Sequence, residues 1–133
     1  MPDTRILCID DEPHMIELFR LILEPHGYEV IGAQSVQAGL DAIGVDQPDL
    51  ILLDLIMPDI DGEDVFHQLR QDARLGDVPV IVVTAKAAPI DKALWVNIAK
   101  VDDYVTKPFR TSELVGRIER VLARRQARDP GTT

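Results

Sequence analysis

The sequence predicts a single α/β domain in which a five-stranded parallel sheet carries helices on both faces. Five short apolar segments alternate along the 133 residues with five segments whose apolar residues recur at helical spacing. Three of the apolar segments are almost entirely Ile, Leu and Val, which is typical of strands buried on both faces. An alternating order of strands and helices with short connections produces a parallel sheet covered by helices.

The strands are predicted at the five apolar segments. The first, third and fourth are the most apolar and suit the centre of the sheet, whereas the second and fifth are shorter or more polar and suit its edges. In chain order they are residues 5–9, 28–33, 49–53, 78–83 and 104–106.

A helix is predicted after each strand. The first begins near Pro13, because proline fits a first helical turn, and ends before Pro25. Ser35 is expected to cap the second helix, and Thr111 or Ser112 the last. The apolar residues that define the five helices are Ile16, Leu18, Phe19, Ile22 and Leu23; Val36, Leu40 and Ile43; Val65, Phe66 and Leu69; Ile90, Leu94 and Ile98; and Leu114, Val115, Ile118, Val121 and Leu122.

The composition excludes several classes of function. Acids outnumber Lys plus Arg by 23 to 14, and the net charge of −9 argues against nucleic-acid binding by this domain. It favours a cation, or a basic patch on a partner. The single cysteine, Cys8, lies in an apolar segment and is expected in the core, so an internal disulfide and a multi-cysteine metal site are excluded.

The chain is expected to be cytoplasmic and without membrane contact. Its start lacks the features of a signal peptide, and no apolar segment approaches the roughly 20 residues that span a bilayer. We expect residues 1–125 to form the domain and the polar residues 126–133 to be a tail or the start of a linker.

Polar residues follow four of the predicted strands where each strand ends. Asp10 and Asp11 follow the first, Asp54 the third, Thr84 the fourth and Lys107 the fifth. The carboxyl ends of parallel strands share one edge of the sheet, where ligands of open α/β sheets bind. Carboxylates brought together there repel one another unless a cation lies among them, and a few oxygen ligands with room for water suit Mg²⁺.

Each acid alone has an ordinary alternative. Asp10 or Asp11 is also suited to capping the first helix, and Asp59 and Asp61 with Gly62 to forming a turn. The chain lacks the acid and Glu positions of a calcium-binding EF-hand around Gly62, and it contains no P-loop and no HExxH zinc motif.

Four segments together resemble the receiver domain of two-component response regulators: ILCIDDEP, LILLDLIMPDIDG, VPVIVVTAK and DDYVTKPF. The resemblance extends over roughly residues 5–125 and implies a flavodoxin-like sheet with the strand order 2-1-3-4-5. It implies a signalling switch rather than an enzyme. Such a switch takes a phosphoryl group from a sensor histidine kinase or a phosphotransfer protein, and phosphorylation changes its partner-binding face.

The resemblance also implies roles for the residues of the site. Asp54 is the expected phosphoacceptor. Asp11, Asp54 and the backbone carbonyl of Ile56 are expected to bind Mg²⁺, with Asp10 acting through a bound water. Lys107 is expected to pair with Asp54 and then with a phosphoryl oxygen.

Three further features belong to the expected switch. Thr84 would turn its hydroxyl towards the phosphoryl group, and Tyr104 would turn inward behind it. Without the resemblance both suit ordinary structural roles, as a strand-end threonine and an edge aromatic. The Lys107–Pro108 peptide bond is expected to be cis.

Two positions set the expected lifetime of the phosphorylated form. Ile56 has no group that could orient a water, so slow self-dephosphorylation is expected, although Lys86 could change the rate in either direction.

One segment departs from the family pattern. Family members often have a glycine at the end of the fourth helix. The stretch Ala99-Lys100-Val101 has none, and the interval from Thr84 to Lys107 is one residue longer than usual.

The last predicted helix, KPFRTSELVGRIERVLARR, resembles that of receivers in winged-helix transcription factors. Those receivers form two-fold dimers through the fourth helix, fifth strand and fifth helix. The residues implied in charge pairs between two copies are Lys92 with Glu113, Asp102 with Arg117, and Asp103 with Arg124. A solvated charged face is the alternative for the same residues.

Two other functions compete with this interpretation. A haloacid-dehalogenase-type phosphatase also uses an Asp nucleophile with Mg²⁺, but it requires a second Asp two residues later, and this chain has Ile56 there. A phosphorylation-independent pseudo-receiver would act as an adaptor, but it would not need the complete set of site residues.

Overall fold

The computed structural model describes residues 4–44, 47–55, 62–85 and 93–128. It contains one five-stranded parallel sheet with the order β2-β1-β3-β4-β5, which confirms the predicted α/β fold. The strands are β1 (Thr4–Ile9), β2 (Tyr28–Ala33), β3 (Leu50–Leu53), β4 (Val80–Thr84) and β5 (Asp103–Thr106). The helices are α1 (Pro13–Leu23), α2 (Val36–Ile43), α3 (Gly62–Gln71), α4 (Leu94–Ile98) and α5 (Thr111–Arg128).

All five strands lie where the apolar segments predict them, with shifts of at most two residues at their ends. The largest shift is at β4, which begins at Val80 rather than Val78. Pro79 explains it, because proline has no N–H to donate to a neighbouring strand.

The core consists of two layers, one on each face of the sheet. Along β1, Ile6 and Cys8 point to the layer under α1 and α5, whereas Leu7 and Ile9 point to the layer under α2, α3 and α4. Successive side chains of a strand alternate between faces. A central strand between two helical layers therefore has no polar side, which explains the continuous apolar pattern of the sequence.

A glycine of β2 allows α1 to approach the sheet closely. A Cβ atom at Gly32 would collide with Cγ2 of Ile16 on α1. Arg20 of the same helix donates a hydrogen bond of 2.8 Å to the carbonyl of Val30. Glycine inside a strand often marks such a close approach.

The predicted caps are confirmed for α2 and wrong for α5. The Oγ of Ser35 accepts a hydrogen bond of 3.1 Å from the N–H of Ala38, as expected for a helix cap. In α5, Thr111 is already helical, and the carbonyl of Arg110 accepts the first helical bond from Leu114 N–H at 3.1 Å. Arg110 therefore occupies the cap position that we predicted for Thr111 or Ser112.

The last helix continues into the segment that was expected to be a tail or the start of a linker. It runs to Arg128, and that segment was expected to comprise residues 126–133. The charged residues at this end do not break a helix, since Arg and Gln are good helix formers. The division of the chain into a domain and a tail stays a prediction.

The segment without the expected glycine ends α4 in a wide turn. Ala99 N–H donates to Leu94 O at 3.1 Å, a π-type bond across five residues, and Val101 N–H donates to Trp95 O at 3.1 Å. Lys100 takes the left-handed conformation, with φ of 65°. A π turn holds one residue more than an α turn, so it fits the longer interval that the sequence analysis expects here. Ile90, from the predicted fourth helix, lies outside the described residues.

No helix in the described part of the chain is both long and apolar enough to cross a membrane.

Replacing Lys100 with glycine is expected to stabilise the protein by up to about 1 kcal/mol. The left-handed conformation costs a residue with a Cβ atom about 1–2 kcal/mol, and the entropy that glycine loses on folding returns part of that gain. Urea unfolding of Lys100→Gly measures the change. Lys100→Ala is the control, because it removes the long side chain but keeps the Cβ atom. Equal stabilisation by both substitutions would show that the backbone conformation is not the cause.

Candidate functional site

The site lies at the carboxyl ends of the central strands, and strand register determines which residues meet there. Ile9 of β1 is paired with Leu53 of β3, so the residues that follow them, Asp10 and Asp54, leave the sheet side by side. Asp54 N–H donates to the Ile9 carbonyl at 3.1 Å and so continues the ladder by one bond. The two predicted acids are thus neighbours although 44 positions separate them in the sequence.

Lys107 reaches this pair from the end of β5. Its backbone N–H donates to Thr84 O at 2.8 Å, and the peptide bond between Lys107 and Pro108 is cis. The Lys107 Nζ atom donates to Asp10 Oδ2 at 2.7 Å and to Asp54 Oδ2 at 3.0 Å. One ammonium group therefore bridges two carboxylates that are 1% and 4% exposed.

Burial and the neighbouring charged groups shift the pKa values of Asp10 and Lys107. Burial raises the pKa of Asp10, and the negative charge of Asp54 adds to this effect. The hydrogen bonds from Lys107 and from Glu12 N–H lower that pKa but do not cancel the increase. Burial lowers the pKa of Lys107, but its hydrogen bonds to Asp10 and Asp54 outweigh burial, so its pKa is raised. The lysine stays charged, while the site holds more negative charge than it can neutralise.

A group of three acids is suited to holding a divalent cation. One carboxylate oxygen each of Asp10, Asp11 and Glu12 lies within 4.8 Å of the others. With Asp54 and Lys107, the site contains four carboxylates and one ammonium, an excess of three negative charges at neutral pH. An all-oxygen donor set with excess negative charge fits Mg²⁺. Ile56, whose carbonyl was expected as a ligand, lies outside the described residues.

Glu12 is the ligand candidate that the sequence reasoning missed. Its backbone N–H donates to Asp10 Oδ1 at 3.0 Å, and this bond brings the Glu12 residue back over the end of β1. The signal was present in the sequence, because Glu12 directly follows the two aspartates. Pro13, the next residue, indicates a helix start, so the sequence pattern around Glu12 does not by itself indicate a metal ligand.

The two residues expected to act as a switch are both buried. Thr84 is fully buried at the end of β4, and its Oγ1 atom has no hydrogen-bond partner in the described part of the protein. Tyr104 of β5 is 2% exposed and lies opposite Val82 of β4. A buried hydroxyl without a partner is costly, so it indicates a position prepared for a ligand or a second state.

The residues of the expected dimer face are partly engaged within the chain. Arg117 donates a hydrogen bond of 2.8 Å to Asp103, which is 8% exposed, and its second terminal nitrogen lies 4.0 Å from Glu113. Asp102 Oδ2 accepts a hydrogen bond of 2.8 Å from Val80 N–H. Arg124 lies further along the exposed side of α5. Lys92, like Lys86, lies outside the described residues.

Comparison with known proteins identifies one family over most of the chain. Residues 6–119 match the family described as the response regulator receiver domain. The chain is 37% identical over 130 residues to the alkaline phosphatase synthesis transcriptional regulatory protein PhoP of Bacillus subtilis. That alignment covers 98% of this chain and 53% of PhoP. The DNA-binding dual master transcriptional regulator RpaA of Synechocystis is 43% identical over 127 residues, which cover 95% of this chain and 52% of RpaA.

Solved structures agree with this result. The receiver domain protein (CheY-like) from Methanospirillum hungatei superposes with a TM-score of 0.79 at 29% identity, and the match covers 96% of this chain and 99% of that one. The chain spans about half the length of the two curated relatives.

Replacing Asp10 with asparagine is expected to stabilise the metal-free protein by about 1 kcal/mol or more at pH 7, because it removes a buried charge that the site does not fully neutralise. The folded-state pKa of Asp10 is raised, so wild type binds this proton more tightly when folded and gains stability as the pH falls towards that pKa. The gap between Asp10→Asn and wild type should therefore narrow as the pH is lowered.

Urea unfolding from pH 7 to pH 4.5 in the presence of a chelator measures this gap. The control is Asp41→Asn, which changes an exposed aspartate of α2 and should have little effect. A gap that widens on acidification would contradict the expectation.

Proposed function

The chain belongs to the response regulator receiver domains, and from this premise we propose that Asp54 is the residue that accepts the phosphoryl group. Receiver domains are phosphorylated on an aspartate by histidine kinases and act as signalling switches rather than as classical enzymes. The observation that carries the proposal is the position of Asp54: its carboxylate ends β3, is 4% exposed and is held 3.0 Å from the Lys107 ammonium.

The proposed transfer is a displacement at phosphorus. A carboxylate oxygen of Asp54 attacks the phosphorus of a phosphohistidine on the donor protein. A P–O bond forms, the P–N bond breaks, and the imidazole nitrogen leaves with the electron pair and takes a proton. Lys107 moves from its Asp54 oxygen to a phosphoryl oxygen, where its charge offsets the charge that the transfer brings into the site. Self-dephosphorylation of the resulting acyl phosphate is proposed to be slow.

The acids around Asp54 are proposed to hold Mg²⁺. Asp11, Asp54 and the Ile56 carbonyl would hold the ion directly, Asp10 would act through a water, and Glu12 would add charge at the rim. When bound, Mg²⁺ would supply the positive charge that the four carboxylates and the incoming phosphoryl oxygens lack. The formal excess of three negative charges among these side chains supports this assignment.

Thr84 and Tyr104 are proposed to convert phosphorylation into a change of surface. The Thr84 hydroxyl, which is buried and has no partner among the described residues, would donate to a phosphoryl oxygen. Its movement would open or close the space around the Tyr104 ring, which lies in the same core layer as Trp95 of α4. A new hydrogen bond would thus bias an equilibrium between two arrangements of this face.

The face affected by this change is proposed to bind a second copy of the chain. It comprises Lys92, which lies outside the described residues, Asp102 and Asp103 at β5, and Glu113, Arg117 and Arg124 on α5. Arg117 donates a hydrogen bond to Asp103, which holds its guanidinium on this face. One carboxylate oxygen of Asp102 accepts a bond from Val80 N–H, and the other is left for a partner. Exposed charge pairs contribute little each, so the unphosphorylated form is expected to dimerise weakly.

The proposed partners are a sensor histidine kinase or a phosphotransfer protein and a second copy of the chain. The proposed location is the cytoplasm, where phosphoryl donors made from ATP are available.

Phosphorylation is expected at one residue only. Acetyl phosphate or a phosphorylated kinase, together with Mg²⁺, should add one phosphoryl group to wild type, because Asp54 is proposed to attack the phosphorus, whereas Asp10 and Asp11 are proposed to bind Mg²⁺. Intact-protein mass spectrometry measures the addition. Asp54→Asn should remove it, and Asp11→Ala should reduce it at least tenfold while leaving the fold intact. Undiminished labelling of Asp54→Asn would refute the assignment, and turnover of a phosphomonoester would favour a phosphatase instead.

Activation is expected to increase dimerisation through the proposed face. Beryllofluoride with Mg²⁺, which imitates the aspartyl phosphate, should raise the mass measured by light scattering towards that of a dimer. Arg117→Glu should weaken this dimer tenfold or more because it reverses a central charge. Arg120→Glu is the matched control, since Arg120 is an exposed arginine of the same helix outside the face. An unchanged mass on activation, or equal effects of the two substitutions, would exclude this interface.

A further inference from the structure

A small cationic pocket lies at the opposite end of the sheet from Asp54. It is formed where β4 and β5 begin, between the end of α3 and the last turns of α5, and its volume is about 190 Å³. Its charged lining consists of four cations and two acids, a local net charge of +2. They are Arg70, Lys100, Arg124, Arg125, Asp77 and Asp102. A concentration of positive charge is unexpected in a chain with a net charge of −9.

The two acids do not neutralise the four cations. Asp102 accepts a hydrogen bond from Val80 N–H, and Asp77 accepts one of 2.8 Å from the side-chain amide of Gln47. Among the residues that the structure describes, neither acid forms an ion pair with a cation of the pocket. The six charged side chains therefore carry a formal excess of two positive charges, which an occupant from outside could neutralise.

Two of the cations are held in place by the fold. Arg70 Nη1 donates to the carbonyls of Leu75, Gly76 and Val78 at 3.1, 3.3 and 2.8 Å, and its guanidinium lies 5.0 Å from the centre of the Phe66 ring. Arg125 Nη1 donates to Asp49 O at 2.8 Å. A guanidinium fixed by one of its nitrogens still presents its other N–H groups. Its position costs no further conformational entropy when a ligand binds.

The other two cations are exposed and able to close over an occupant. Lys100 and Arg124 are both exposed, and neither has a side-chain hydrogen bond or ion pair within the described residues.

Burial lowers the pKa of Arg70, although Asp102 and Asp77 act in the opposite direction. An anion bound beside that guanidinium would act on its pKa in the same direction as these two carboxylates.

We propose that this pocket binds a dianion of the phosphate type. The anion would lie between Arg70 and Arg125, which are held by backbone carbonyls, and the exposed side chains of Lys100 and Arg124. Arginine guanidinium groups match the geometry of tetrahedral oxyanions and form charge-assisted hydrogen bonds with them. The volume equals that of about six waters at roughly 30 Å³ each, which is enough for a phosphoryl group and too small for a drug-sized molecule. The proposal does not depend on the phosphorylation of Asp54.

Titration with inorganic phosphate tests the proposal. The chain is kept free of Mg²⁺ by a chelator, and sodium chloride holds the ionic strength constant. Amide resonances of Lys100, Asp102, Arg124 and Arg125 should shift and saturate with phosphate, while those of Asp10 and Asp54 should not. Shifts that stay linear, that chloride reproduces, or that occur only around Asp54 would overturn the proposal.

Substitutions of the two exposed cations provide the second test. The double variant Lys100→Gln/Arg124→Gln should weaken phosphate binding tenfold or more and should fold normally, because neither side chain supports the described structure. Arg120→Gln is the matched control on α5 and should change binding less than twofold. Unchanged binding by the double variant would refute the site. Glycerol phosphate distinguishes the sources: tighter binding than inorganic phosphate indicates an organic phosphomonoester, and equal or weaker binding indicates free phosphate.

Discussion

The bridge from the Lys107 ammonium to Asp10 and Asp54 is the interaction on which the functional end of this protein depends. A carboxylate that is almost completely buried and has no partner strongly destabilises the folded state. Asp10 and Asp54 are both buried in this way, and the Lys107 ammonium lies within 3.0 Å of a carboxylate oxygen of each. The bridge also ties the end of β5 to the ends of β1 and β3. A group that binds or modifies Asp54 changes the bonding of Lys107, so chemistry at one strand end is transmitted to β5.

The turn before β5 carries the backbone into a regular register with β4. A π turn ends α4, and Lys100 takes the left-handed conformation before β5 begins. Tyr104 lies opposite Val82, and Thr106 lies opposite Thr84, so Lys107 follows directly at the edge of the sheet. Among the described residues, Lys100 is the one non-glycine residue with a positive φ, and the register that the site requires is kept. This placement is favourable because a shifted register would move every side chain of β5 to the other face.

The two ends of the sheet have opposite electrostatic character. The carboxyl end gathers four carboxylates around one lysine, whereas the amino end near Val80 and Asp102 gathers four cations around two acids. Charge in a chain of net −9 is therefore segregated rather than spread evenly. Each end is suited to ligands of the opposite sign, and α5 and β5 connect the two ends.

The amino-acid sequence predicts the strands, the parallel order of the elements and the edge at which Asp10, Asp54 and Lys107 lie. These follow from local periodicity, because apolar runs and helical spacing show which segments are buried, and all strands of a parallel sheet end at the same edge. Which atoms meet at that edge is visible only in the folded chain. The bond between Lys107 and Asp10 joins residues 97 positions apart, and the cationic pocket draws on α3, α5 and the loop before β5. Such contacts depend on register, helix packing and turn geometry, which no local pattern specifies.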